Sequence, residues 1–222
     1  MMQGKLIVLE GIDGSGKTTQ YEKLCQRFSE ENRDFIKISF PRYEEDSSVL
    51  IRQYLNGDYG SQPSDVNCYA ASTFFAVDRF ASFKTHWGEY YNNGGIILAA
   101  RYTTSNACHQ GSKLPHDERL KFYDWLYDFE FNKMGMPAPD LVLYLDIDIE
   151  TSLKQMQNRR QQTNTTADIH EKDSGYLQAS LDAGRAAAQH YGWKTIKCMN
   201  NGNMRSIEDI HEDIYKSVLE AL

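Results

Sequence analysis

The sequence predicts an α/β protein in which a parallel β-sheet carries helices on both faces. Three observations lead there. Short apolar or β-branched runs bounded by turn residues recur along the chain, and amphipathic, helix-favouring stretches separate them. A glycine-rich segment joins the first run to the first such stretch. At 222 residues the chain is expected to form one domain, 1–222, with a core large enough to need no disulfide or metal staple.

The expected elements are these, in chain order. Lys5–Leu9 is the first strand, and its Leu6-Ile7-Val8-Leu9 is a continuous apolar run of the kind that is buried on both faces. The first helix runs from Lys17 to about Glu31. Phe35–Phe40 is the second strand. A long helix begins near Ser64-Asp65, which can cap it, and continues to about Tyr91, where Asn92-Asn93-Gly94-Gly95 ends it. Ile96–Ala99 is the third strand. A helix over Asp117–Lys133 stops at Gly135 and Pro137. Leu141–Leu145 and Thr195–Cys198 complete the strands, and Ser206-Ile207-Glu208-Asp209 resembles a capping box that opens the last helix.

Between the first strand and first helix stands Gly11-Ile12-Asp13-Gly14-Ser15-Gly16-Lys17-Thr18, followed by Thr19. It fits G-x-x-x-x-G-K-[ST] in the strand–loop–helix context that the pattern requires. Glycines let backbone N–H groups turn toward a polyphosphate, and the helix N-terminus adds its partial positive charge. Lys17 can reach the β- and γ-phosphates, and the Thr18 hydroxyl can ligate Mg²⁺. This segment predicts nucleotide binding.

Composition narrows the remaining classes. The net charge of −7 disfavours non-specific binding to nucleic acid or to an anionic membrane, so a phosphate ligand must be held by a local arginine cluster. No run approaches the length of a membrane span, and no N-terminal targeting pattern is read. Cys25, Cys68, Cys108 and Cys198 are irregularly spaced, which predicts reduced thiols in a cytoplasmic protein and no zinc site.

Ligands of an open parallel sheet bind outside the carboxyl ends of its strands. Four clusters fall at that rim. Phe40-Pro41-Arg42-Tyr43 ends the second strand, although Arg42 taken alone reads more readily as a solvated loop residue. Phe75 and Arg79 lie four apart on the long helix and share a face, either to stack on and hydrogen-bond a base or as a core phenylalanine beside a surface arginine. Arg101-Tyr102 ends the third strand. Ser105, Asn106 and His109 come next at helical spacing, as site residues or as the polar side of ordinary packing. Arg159-Arg160, the polar patch Gln161–Thr166 and Asp168-Ile169-His170-Glu171 read as a lid over transferring phosphates, at about 159–171, or as the charged end of a helix with a surface loop.

Taken together, these residues resemble the thymidylate kinases, a family of P-loop nucleoside-monophosphate kinases, over essentially the whole chain. The resemblance implies the P-loop kinase fold with a five-stranded parallel sheet, a homodimer, and transfer of the ATP γ-phosphoryl to thymidine monophosphate (dTMP). It implies that Phe75 stacks on thymine, that Arg79 hydrogen-bonds its O4 and that Arg101 holds the acceptor phosphate. Asp13 then lies near the acceptor sugar and magnesium, while Phe40, Pro41, Arg42, Tyr43, Ser105, Asn106, His109 and His170 line the acceptor pocket. Thr18, Asp13 and Glu171 are left to hold Mg²⁺. One branch of the family carries an arginine within the P-loop where this chain has Gly14, so Arg159 and Arg160 are expected to supply that charge.

One departure stands out. The family usually has Asp-Arg at the end of the third strand, where this chain has Ala100-Arg101. A nucleotide-binding homologue with weakened catalysis is therefore one alternative. A deoxynucleoside kinase is another, but Phe40-Pro41-Arg42 stands where its general base is expected.

Overall fold

The structure, a computed structural model, describes residues 3–163 and 174–222, and of residues 160, 162, 163 and 174 it describes the backbone alone. Five parallel strands form the central sheet: β1 (Lys5–Glu10), β2 (Ile36–Ser39), β3 (Ile96–Ala100), β4 (Leu141–Asp146) and β5 (Lys194–Lys197). Their spatial order is β2-β3-β1-β4-β5, a five-stranded parallel sheet as the strand–helix alternation and the resemblance predict. Strand boundaries differ from the sequence expectation by one residue at most ends.

Helices cover both faces because alternate residues of the strands are apolar on both sides. Ile7 and Leu9 of β1, with Leu98, Leu143, Leu145 and Ile196, pack against Leu24 and Phe28 of α1 (Lys17–Glu30) and Ile210, Ile214 and Val218 of the C-terminal helix (Ile207–Ala221). Leu6 and Val8 point the other way, onto Ile38, Ile97, Trp87 and Tyr91. Ser206 caps the C-terminal helix, its Oγ accepting from the Asp209 N–H at 3.0 Å.

The short helix α2 (Val49–Asn56) was not anticipated. The long helix after it starts later than expected. Pro63–Asp65 instead forms a 3₁₀ turn closed by the Gln62 N–H donating to Asp65 Oδ2 at 2.9 Å. Asn67 then caps α3 (Cys68–Ser82), its Oδ1 accepting from the Ala70 N–H at 2.8 Å. A π-helical turn, Phe83–Trp87, leads from α3 into α4 (Gly88–Asn92). Beyond β3 come α5 (Thr103–His109) and α6 (His116–Tyr127). The helix expected to reach Lys133 does so through a second π-helical turn, Asp128–Lys133. Helices α7 (Ile149–Thr163) and α8 (Ser174–Tyr191) precede β5, and a hairpin, β6 (Met199–Asn200) with β7 (Asn203–Met204), precedes α9, the C-terminal helix.

Candidate active site

Strand register assembles the site. Leu9 of β1 is paired with Ala100 of β3, and Ser39 of β2 is paired with the same Ala100. The P-loop, Phe40-Pro41 and Arg101 therefore leave the sheet side by side at its carboxyl edge. Gly14 and Gly16 adopt φ values of 75° and 82°, the left-handed region in which glycine carries no steric penalty. A Cβ on Gly14 would lie 2.4 Å from the Ser152 carbonyl oxygen of α7, so the loop cannot carry a side chain there. Gly16 caps α1 directly before Lys17.

Two adjoining cavities open at this edge. One, of about 550 Å³, is lined by the P-loop from Ile12 to Thr19, by Ala100, and by Gln155, Asn158, Met204, Arg205 and Ile207. The other, of about 240 Å³, is lined by Pro41, Tyr43, Phe75, Arg79, Ser105, Asn106 and His109, among others. Asp13, Phe40, Arg101 and Arg159 line both. The wide separation in sequence of these four residues closes at the junction between the cavities.

Electrostatics at the junction are strong. Arg101 Nη2 donates to Asp13 Oδ1, Nη1 lies 2.9 Å from His109 Nε2, and Glu10 Oε1 is 3.9 Å away. Burial would raise the Asp13 carboxyl, but Arg101, with His109, Lys17 and Arg159, holds it well below the usual carboxylate range. Lys17 is buried and makes no salt bridge among the described residues. Burial, then the Arg101 charge, bring its ammonium down from 10.5 to about 8, against the opposing pull of Asp13 and Glu10. A buried cation in that condition is suited to an anionic ligand. Arg101 itself sits at φ 64°, a backbone conformation uncommon outside glycine that costs about 1–3 kcal/mol and tends to occur at functional sites.

The second cavity has a different character at its far end. Phe75 is half-buried there, edge-on to Tyr54 at 6.4 Å. Arg79 is not a surface arginine: its side chain is 1 % exposed. Its Nε and Nη2 donate to Glu130 at 2.7 and 2.5 Å, and Nη1 donates to the Tyr102 carbonyl at 3.3 Å. Removing one partner of such a buried pair costs about 3–5 kcal/mol. Asn106 Nδ2 donates to the Ser72 carbonyl at 3.2 Å, and Ser105 Oγ donates to Glu10 Oε2 at 2.6 Å.

Not every expected residue lines a cavity. Arg42 is drawn aside, with Nη2 on Glu45 at 2.7 Å and Nη1 on Ser82 at 3.4 Å, while its backbone N–H donates to Asp78. Gly11 is buried behind the loop, its N–H donating to Glu10 Oε1 at 2.8 Å. The Arg160 side chain, His170, Glu171 and most of the expected lid lie outside the described residues.

Among the residues the sequence reading missed, three hold the site together from behind the cavities. Glu10, fully buried, accepts from Gly11, Thr104 Oγ1 at 2.7 Å and Ser105 Oγ, and thereby ties β1, the P-loop and α5 together. A lone carboxylate closing an apolar strand beside the P-loop was the available signal. Glu130 and Thr103 had none, because Glu130 meets Arg79 across 51 residues from a π-helical turn and Thr103 meets Glu130 across 27.

Oxygen donors also face the larger cavity. Thr18 and Asp13 line it, and no group of three or more His, Cys, Asp or Glu side chains forms a metal cluster among the described residues. That donor set fits a magnesium held largely by phosphate oxygens and water rather than by a protein cage.

A parallel sheet with a lysine-bearing glycine loop at its carboxyl edge, opening on two adjoining cavities, defines a P-loop nucleotide-binding protein. The family model for thymidylate kinase matches residues 9–214. The chain belongs to the thymidylate kinase family. It is 32 % identical over 190 residues to the thymidylate kinase of Mycobacterium tuberculosis, covering 85 % of this chain and 87 % of that one. It is 26 % identical over 212 residues to the human thymidylate kinase, covering 96 % and 88 %. The solved structure of thymidylate kinase from Candida albicans superposes with a TM-score of 0.71 at 21 % identity, over 98 % of this chain and 92 % of that one, and so shares the fold.

Proposed function

We propose that this enzyme transfers the γ-phosphoryl group of ATP to dTMP, giving thymidine diphosphate. The observation that carries the reading is the junction: a P-loop cavity with Lys17 and a smaller cavity with Phe75 and Arg79 meet at Asp13, Arg101 and Arg159. The family assignment supports the same reaction.

Each residue then has a role. P-loop N–H groups and Lys17 cradle the donor phosphates, with Ile12 through Thr19 along their path. Phe75 stacks on thymine, Arg79 donates to its O4, and Asn106, Tyr43, Pro41 and His109 close the pocket around base and sugar. Arg101 holds the acceptor phosphate at the junction. Arg159, and Arg160 beside it in sequence, supply charge to the transferring group. Phosphoryl transfer needs alignment and charge neutralisation more than a base. Asp13 agrees with that, because a carboxyl held so far below its usual range is a poor proton acceptor. Thr18 and Asp13 would hold Mg²⁺ with the nucleotide, and it would neutralise phosphate charge there.

The finer features are readings of the same kind. A single kinase domain over 1–222 with a lid at about 159–171 is implied by the resemblance. So is a homodimer, supported by an outward apolar patch where the exposed Tyr69 of α3 lies edge-on to the half-buried Trp125 of α6, which stacks on Phe129 of the following π-helical turn. A cytoplasmic setting is supported by four free, buried cysteines. No described helix is long and apolar enough to cross a membrane.

A coupled assay of ATP consumption with thymidine, then with dTMP, tests the reaction. Turnover with dTMP and none with thymidine is expected. Turnover with thymidine alone would identify a nucleoside kinase, and none with either would leave a nucleotide-binding protein.

A further inference from the structure

Arg79 is placed to read a base from inside the wall of the acceptor cavity, and a guanidinium there needs both a fixed plane and a counter-charge. Glu130 provides them. Its two oxygens take Nε and Nη2 in a bidentate pair, the strongest geometry open to an arginine and a carboxylate. Thr103 Oγ1 donates to Glu130 Oε2 at 2.6 Å, so the carboxylate is itself held from α5. The Tyr102 carbonyl takes one further N–H. These bonds use three of the five guanidinium donors, and two remain on a side chain that lines the cavity. Glu130 is 0 % exposed and stands on the π-helical turn Asp128–Lys133, where the Met136 N–H donates to the Glu130 carbonyl at 3.0 Å.

We propose that Glu130, steadied by Thr103, is a positioning residue that sets the choice of acceptor base, and that it acts by fixing Arg79 as a charge-compensated donor. This rests on the reading of Arg79 as the group that faces the base. The pairing has two consequences. The fork presents its remaining N–H groups in one orientation, which suits a pyrimidine 4-carbonyl and leaves the amino group of cytosine without an acceptor. Compensation by Glu130 also makes the base end of the cavity attract a neutral carbonyl. At the other end Arg101, Lys17 and Arg159 gather around Asp13, and this cationic cluster receives the acceptor phosphate, so the nucleotide is oriented with its phosphate toward the P-loop.

The test is steady-state kinetics with dTMP and dCMP on the wild type, Glu130→Gln, Thr103→Val, Thr103→Ser and Arg79→Gln, with Tm measured for each. Glu130→Gln is expected to raise KM for dTMP about tenfold, to leave kcat within about twofold, and to lower the dTMP:dCMP ratio of kcat/KM at least about tenfold. Thr103→Val should move the same quantities in the same direction by about threefold, and Thr103→Ser should restore wild-type values. If Glu130→Gln fails to fold, Thr103→Val against Thr103→Ser decides. A lower Tm with KM and the ratio unchanged in Glu130→Gln and Thr103→Val would overturn the proposal and leave these residues a structural role. Loss of the ratio in Arg79→Gln alone would spare the reading of Arg79 and overturn only the role of Glu130. An unchanged ratio in Arg79→Gln would overturn both.

Discussion

Arg101 donates to Asp13 across the line where the two cavities meet, and it does so from a left-handed backbone conformation with φ 64°. The strain has a geometric cause in the site. Ala100 ends β3 in register with Leu9, and the Arg101 N–H still donates to the Leu9 carbonyl at 3.2 Å. The turn at Arg101 therefore swings its side chain over the P-loop while the sheet hydrogen bonding is kept.

Arg101→Lys keeps the charge and loses the fork that contacts Asp13 and His109 together. It should lower kcat/KM for dTMP by about 10²–10³, the range expected when a preorganised transition-state donor is lost. KM for ATP should move by less than about threefold. Steady-state kinetics with each substrate varied in turn checks both.

A side chain at Gly14 would collide with the Ser152 carbonyl, so in the proposed reaction the end of α7, with Arg159, is the expected source of catalytic charge beyond Lys17 and Arg101. Arg159→Ala, and more so Arg159→Ala with Arg160→Ala, should lower kcat more than it raises KM for either nucleotide. Gly14→Arg in the double variant should not restore turnover. Wild-type kcat in the double variant would place the charge elsewhere.

Ala100 lines the P-loop cavity, where the family resemblance leads one to expect an aspartate. Ala100→Asp should shift the magnesium midpoint of turnover to lower concentration and raise kcat, by up to about tenfold, with KM for dTMP little changed. A magnesium titration of both proteins checks this. An unchanged midpoint with unchanged or lower kcat would make Ala100 an accommodated difference.

His211 on α9 is 3 % exposed, with neither ring nitrogen hydrogen-bonded among the described residues. Burial, then the Arg27 and Lys23 charges, lower its pKa below the ordinary 6.5. The unfolded chain thus takes up the proton first, so the stability tied to neutral His211 is present above about 6.5 and is lost as pH falls toward the folded value. Tm measured from pH 7.5 to 5.5 should fall less steeply for His211→Leu than for the wild type. Parallel slopes would contradict the assignment.

The sheet and the P-loop were legible because apolar strand runs and a contiguous glycine pattern are local properties of the sequence. Lys17 could be named from the glycine-loop pattern and Arg101 from its strand end, since the fold class dictates where a strand's carboxyl end points, whereas the role of Asp13 came from the family resemblance. Helix entry at Asn67 was missed because Ser64-Asp65 offered an equally good local cap, and the 3₁₀ turn that consumes it is closed by Gln62. The partner of Arg79 was illegible for a different reason. The α-helical period breaks at Asp128, so no repeat brings Glu130 inward, and only the packed structure shows that it is buried. The outcome for Arg42 was decided by the nearby Glu45 together with the distant Ser82 and Asp78 of α3.

In the proposed function, recognition of a pyrimidine monophosphate through its 4-carbonyl is the step that joins the two cavities into one reaction. It is tested most directly by kcat/KM for dTMP and dCMP side by side, at saturating ATP and magnesium. Arg79 and Phe75 predict a preference for dTMP of at least about tenfold, from the unsatisfied donor pair that cytosine would create. Comparable values for the two acceptors would mean that Arg79 does not read the base and that the smaller cavity is not a thymine pocket.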